Sequence, residues 1–192
     1  MSVIAIVGCA GVGKSVLVKQ LAALHRAAAF FEGEEGVFPD VVTQNLVVDD
    51  PVARERWFVG QYVACLQQAR AVTAHGVRSY VDNASAVTIA SYAAISPHGI
   101  TPELSEMIEQ LVRIQADYTV ILTASPEVLR AHIATRGRKA EEEVDAITAQ
   151  ALRVQEQFVR YGLEQGAVIL DRTNLNFHNP RDLAWVSSRL PE

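Results

Sequence analysis

Short apolar runs alternate along the chain with longer stretches in which apolar residues recur at helical spacing. Val3–Val7, Ala28–Glu32, Ser79–Asp82, Tyr118–Thr123 and Val168–Asp171 are the expected strands. Several are almost continuously apolar, as central strands of a parallel sheet covered on both faces are. Between them, Lys14 to about His25 carries Val16, Leu17, Leu21 and Leu24 at helical positions. Asp50-Pro51 predicts an N-cap followed by proline at the first helical position, opening a helix that Gly76 ends. Thr101-Pro102 and Ser125-Pro126 repeat that start, each with a glutamate in the first turn, and Gly166 closes a helix running from about Glu142. Alternating strands and helices predict a three-layer α/β domain with a central parallel sheet of about five strands. No repeat or linker interrupts the pattern, so residues 1–192 read as a single domain.

Composition narrows the partners. At 49% hydrophobic residues the chain can fill a sizeable core, and a net charge of −5 leaves no electrostatic footprint for nucleic acid. The densest basic run, Arg136-Gly-Arg-Lys139, is followed almost at once by Glu141-Glu-Glu143. Polynucleotides and anionic membranes are therefore not expected partners, whereas a small anion in a local pocket is compatible with this balance. No apolar run is long enough to span a bilayer, and the apolar N-terminus lacks the basic leader of a signal peptide. Cys9 and Cys65 have no CxxC or histidine companions, and the expectation is two reduced thiols in a cytoplasmic protein. His25, His75, His98, His132 and His178 show no metal-binding spacing.

Gly8-Cys-Ala-Gly11-Val-Gly13-Lys14-Ser15 fits the phosphate-loop pattern G-x-x-x-x-G-K-[ST] and stands where a strand gives way to a helix. Glycines let the backbone fold tightly and aim its N–H groups at phosphate oxygens. Lys14 adds a point charge near the β and γ phosphates, Ser15 can ligate Mg²⁺, and Val16 continues the loop into the helix. ATP with Mg²⁺ is the expected donor. Such a loop serves switch GTPases, motors and small-molecule kinases alike. The absence of an N-K-x-D signature and of a strand ending in two acidic residues favours the kinases.

The rest of the chain carries a resemblance. Glu32 falls 24 residues after Gly8; Asp50-Pro51, Trp57 and Gln61 follow; a strand ends in Asp82-Asn83; and Arg136-Gly-Arg138 precedes Glu141. This order and spacing resemble the deoxyribonucleoside kinases, relatives of thymidylate kinase, over nearly the whole length. The resemblance implies that Glu32 is the general base for a nucleoside 5′-hydroxyl, with Glu34 and Glu35 as alternatives in the same acidic cluster. The chemistry agrees, because an alcohol attacking phosphorus needs a nearby proton acceptor. It further implies that Asp82 supports Mg²⁺ with Ser15, and that Trp57 and Gln61 line the base pocket. Arg136 and Arg138 become a phosphate-clamping lid over about residues 136–142. Glu141 becomes the contact to the sugar 3′-hydroxyl, and Asp171-Arg172-Thr173 the loop around the donor adenine. Kinases of this kind often pair through long helices, so a homodimer is also implied.

Departures from the family pattern cluster on the acceptor side. Asn83 stands where an arginine normally neutralises the reacting phosphate, and Gly33 replaces a proline after the catalytic glutamate. Gln68 and Thr88 occupy the approximate positions of a base-reading Arg/Asp pair, and Val48 that of a tyrosine. The expected activity is ATP-dependent phosphorylation of a deoxynucleoside, purine rather than pyrimidine by a slight preference, with Arg54, Arg56 or Arg70 available to supply the missing charge. The alternatives are another small-molecule or nucleotide kinase with the same donor half, or a nucleotide-binding homologue with impaired catalysis.

Overall fold

The computed structural model describes residues 1–32, 52–136 and 141–191. Five strands, β1 (Val3–Val7), β2 (Ala28–Phe30), β3 (Ser79–Asp82), β4 (Tyr118–Thr123) and β5 (Val168–Asp171), form one sheet in the order β2-β3-β1-β4-β5. Every pairing is parallel, with Ile4 opposite Tyr80 on one side of β1 and Tyr118 on the other. All residues of β1 and β3 are buried; β1 accordingly runs apolar without alternation, whereas β3 begins and ends in the polar Ser79 and Asp82.

Among the described residues seven helices surround the sheet: α1 (Lys14–His25), α2 (Ala53–Ala74), α3 (Ala86–Ile95), α4 (Pro102–Ile114), α5 (Pro126–Arg136), α6 (Glu141–Glu164) and α7 (Pro180–Ser187). α1 packs on β1, β2, β3 and α7, while α2 lies against the same three strands and α4. α6 covers β4 and β5 and meets α3 and α5. The result is the expected three-layer α/β architecture. Gly162 allows α6 its close approach to the sheet, since a Cβ there would lie 1.9 Å from Cδ1 of the buried Ile121. None of the described helices is long and apolar enough to cross a membrane.

Two expectations are corrected. β2 ends at Phe30 rather than Glu32, so Phe31 and Glu32 leave the sheet and turn toward neighbouring helices. α3 was not expected at all: seven of its ten residues are buried and none is charged, so it has no polar face to give a helical period. Its local signal is Ser85, whose side chain accepts from the Val87 N–H as an N-cap. The Asp50-Pro51 start lies outside the described residues; α2 is seen from Ala53, and Gly76 follows its end with φ of 81°.

One polar bridge ties α1 to the opposite end of the chain. His25 Nδ1 lies 2.5 Å from the Tyr80 hydroxyl and its Nε2 lies 2.8 Å from Ser187 Oγ. Desolvation, with the Arg78 cation as the smaller cause, holds the imidazole pKa below its ordinary value. The unfolded chain therefore takes up this proton more readily than the folded one. This contribution to stability is full above the ordinary imidazole pKa and is lost as pH falls below it. Urea unfolding at about pH 8 and about pH 5.5 is expected to show a smaller drop in His25→Gln than in the unsubstituted protein; equal drops would remove His25 from the pH response.

Candidate active site

The carboxyl ends of the five parallel strands lie on one edge, where ligands of open α/β sheets bind. After β1 the chain enters the phosphate loop. Gly13 is the N-cap of α1 with φ of 96°, and a Cβ there would stand 2.7 Å from Arg172 Nη1. A Cβ on Gly8 would stand 2.7 Å from the Leu122 carbonyl oxygen, backbone that cannot yield. Gly8 is thus required by space and Gly13 by its left-handed backbone, and Gly11, with φ of 81°, abuts the Ile133 side chain. Lys14 Nζ donates to the Cys9 carbonyl across the loop at 3.1 Å. Val16 is half-buried against the core, in the first turn of α1. Burial outweighs the attraction of Lys14 and pushes the Cys9 thiol pKa up to about 11, so Cys9 is a packing residue and not a nucleophile.

Three side chains from outside the loop fix its shape. His132 on α5 points Nδ1 at the Gly11 carbonyl, 2.9 Å away; a carbonyl only accepts, which assigns the proton to that nitrogen. Arg172, directly after β5, donates to the carbonyls of Val12 at 3.3 Å and Leu175 at 2.8 Å, with its guanidinium over the Phe177 ring. Desolvation lowers its pKa, yet guanidinium remains charged at any working pH. Gln155 on α6 accepts from the Ala124 N–H and donates to the Ala124 carbonyl, while Cys9 Sγ lies 3.9 Å from its Oε1. His132 and Gln155 have no sequence signal as part of this loop, because their positions follow only from the packing of α5 and α6 beside it.

At the end of β3 two consecutive residues reach in opposite directions. Ser15 Oγ donates to Asp82 Oδ2 at 2.5 Å, and Asp82 is 3% exposed. Asn83, with φ of 62°, turns its amide the other way and donates from Nδ2 to Glu32 Oε2 at 3.0 Å. Asparagine is one of the few residues that accept a left-handed backbone readily. The Tyr62 hydroxyl donates to the same Glu32 oxygen at 2.8 Å. Burial first, and then the Glu32 carboxylate, hold the Tyr62 pKa well above its ordinary value, so the phenol stays a donor.

These groups open on a cavity of about 150 Å³ whose described lining includes Glu32, Arg54, Phe58, Tyr62, Thr88 and Tyr92. Trp57 and Gln61 are half-buried on α2 and do not line it; Phe58 and Tyr62, also four residues apart, do. The buried stripe of α2 runs through Val59, Tyr62, Leu66 and Ala69, and that stripe decides which i, i+4 pair faces inward. Asp171 uses Oδ1 to accept from the Thr173 N–H and hydroxyl, and its neighbour Arg172 makes the contact to the phosphate loop. Arg136 ends α5 and Glu141 begins α6, at either side of the expected lid. Arg138, Glu34 and Glu35 lie outside the described residues.

Neither a family model nor a curated protein matches the sequence. Solved structures do match the fold. A thymidylate kinase from Candida albicans superposes with a TM-score of 0.67 at 16% identity, covering 97% of this chain and 90% of that one. A deoxyadenosine kinase from M. mycoides, solved with bound dATP, superposes with a TM-score of 0.65 at 13% identity, covering 98% of each chain. The fold is that of the P-loop kinases. Within this P-loop kinase fold, Ser15 and Asp82 offer hydroxyl and carboxylate oxygens side by side, the hard donors that suit Mg²⁺. Among the described residues no group of three His, Cys, Asp or Glu side chains forms a separate metal site.

Proposed function

We propose that this chain transfers the γ-phosphoryl group of Mg-ATP to the 5′-hydroxyl of a deoxynucleoside, with Glu32 as general base. The observation that carries this reading is the pair Asp82-Asn83, which joins the phosphate loop through Ser15 to Glu32 through the Asn83 amide. Donor chemistry and a proton acceptor thereby meet at one strand end, beside a cavity with aromatic walls. The acceptor hydroxyl oxygen bonds to the γ-phosphorus, the bond to the bridging oxygen of ADP breaks, and the proton passes to Glu32. Gly8, Gly11, Gly13, Lys14, Ser15 and Val16 hold the triphosphate, Lys14 by swinging from the Cys9 carbonyl to the phosphates. Ser15 and Asp82 would hold Mg²⁺, which neutralises charge on the β and γ phosphates when bound.

The remaining roles rest on the family resemblance. Arg136 and Arg138 clamp the transferring group, Glu141 meets the sugar 3′-hydroxyl, Trp57 and Gln61 border the base from beyond the described lining of the cavity, and the loop at Asp171 meets the donor adenine. A purine base, a cytoplasmic setting and a homodimer belong to the same reading.

A nucleotide acceptor is the second reading, favoured by the likeness to a thymidylate kinase fold. Against it stands the electrostatics of Glu32. Its hydrogen-bond donors among the described residues are the neutral Tyr62 and Asn83, so an attacking phosphate oxygen would meet a carboxylate with Arg54 as the one described cation lining the same cavity. Transfer from radiolabelled ATP to the four deoxynucleosides and their 5′-monophosphates tests both. Labelled monophosphate product is expected; product from the monophosphates alone would establish the second reading. ATP binding without any transfer would mark an impaired homologue.

A further inference from the structure

Among the described residues, Glu32 is held at one of its two oxygens. Oε2 receives the Tyr62 hydroxyl at 2.8 Å and the Asn83 amide at 3.0 Å, while no described residue donates to Oε1. The second Asn83 N–H bond runs to the Tyr62 oxygen at 3.2 Å. These three bonds leave only one consistent arrangement of protons: the amide donates twice, the phenol accepts once and donates once, and the carboxylate only accepts.

Both donors are themselves immobilised. Tyr62 is 2% exposed and belongs to the buried stripe of α2. Asn83 is 5% exposed, with its N–H on the Ile6 carbonyl at 2.9 Å and its carbonyl taking the Thr88 hydroxyl at 2.8 Å. A neutral pair of this kind orients a carboxylate without cancelling its charge. An arginine at position 83 would do both, at some expense of proton affinity.

We propose that Tyr62 and Asn83 are positioning residues that anchor Oε2 of Glu32, so that Oε1 is presented to the acceptor hydroxyl and takes its proton. The inference rests on Glu32 being the base. It gives Asn83 a function of its own in place of a lost arginine. The absent cation is then no obstacle to proton abstraction, and charge on the phosphoryl group falls to the loop and the lid.

A double-mutant comparison decides it. Tyr62→Phe and Asn83→Gly, the latter keeping the left-handed backbone accessible, are measured alone and in a Glu32→Gln background. The assay uses ATP with the deoxynucleoside that the four-member panel selects. Each single variant is expected to lower kcat about tenfold, as loss of a hydrogen bond to a charged group does, with KM for ATP unchanged. In the Glu32→Gln background neither change should lower kcat further, because nothing remains to be positioned. Equal losses in both backgrounds, or no loss in either, overturn the proposal. A Glu32→Gln protein as active as the unsubstituted one, or no transfer to any deoxynucleoside, overturns the base assignment itself. Should Tyr62→Phe fail to fold, the Asn83→Gly pair alone carries the comparison.

Discussion

Glu32→Gln is expected to lower turnover by about a hundredfold or more, the usual worth of a positioned base, with the affinity for Mg-ATP unchanged. The substitution is a clean one in this site. Glutamine keeps the length of the side chain, and its amide oxygen can accept from Tyr62 and Asn83 as Oε2 of the glutamate does. What it loses is the capacity to take a proton. The donor half is untouched, because Glu32 has no bond to the phosphate loop; its link to that loop runs through Asn83 and Asp82. Single-turnover transfer together with calorimetric ATP binding separates the two quantities. If Glu35→Gln shows the loss and Glu32→Gln does not, the base lies elsewhere in the acidic cluster of residues 32 to 35.

Lys14→Ala is expected to remove transfer to a similar or larger degree, and to weaken Mg-ATP as well. Removing one preorganised donor to developing charge costs about a hundredfold to a thousandfold in kcat. The ammonium now rests on the Cys9 carbonyl, a bond within the loop that is replaceable by water on the half-exposed side of α1. The fold should therefore survive: the loop keeps its anchors to His132 and Arg172, and α1 keeps Leu17, Val18 and Leu21 in the core. Calorimetry and transfer, with circular dichroism as the check on folding, measure the effect. Unchanged affinity with unchanged turnover would refute the role of the loop in binding triphosphate.

The Trp57/Gln61 pair shows what spacing alone leaves open. Residues 57 and 61 are one helical step from 58 and 62, and both pairs satisfy the i, i+4 rule equally. Tyr62 carried no mark of its own, since its partner Glu32 is 30 residues away and the hydroxyl bond exists only once α2 packs beside β2. The same holds for Asn83. From the sequence it is an absent arginine; in the folded chain it is a donor to the Glu32 carboxylate.

The local chemistry was therefore determined by the sequence itself. Five apolar runs became five parallel strands, the glycine-lysine-serine loop fell between β1 and α1, and Glu32 and Asp82 fell at or just beyond strand ends. These features depend on the conformational freedom of glycine, on the burial of strands covered on both faces, and on capping residues, all of which act within a few positions. Asn179-Pro180 opens α7 in the same way, although no helix was expected there. The tertiary structure alone decided which face of α2 meets the cavity, that a mostly buried α3 exists, and that Arg172, His132 and Gln155 brace the phosphate loop from 121 to 160 residues away in sequence. Such contacts are set by how layers stack, and their hydrogen bonds form only where water has been driven out by that stacking.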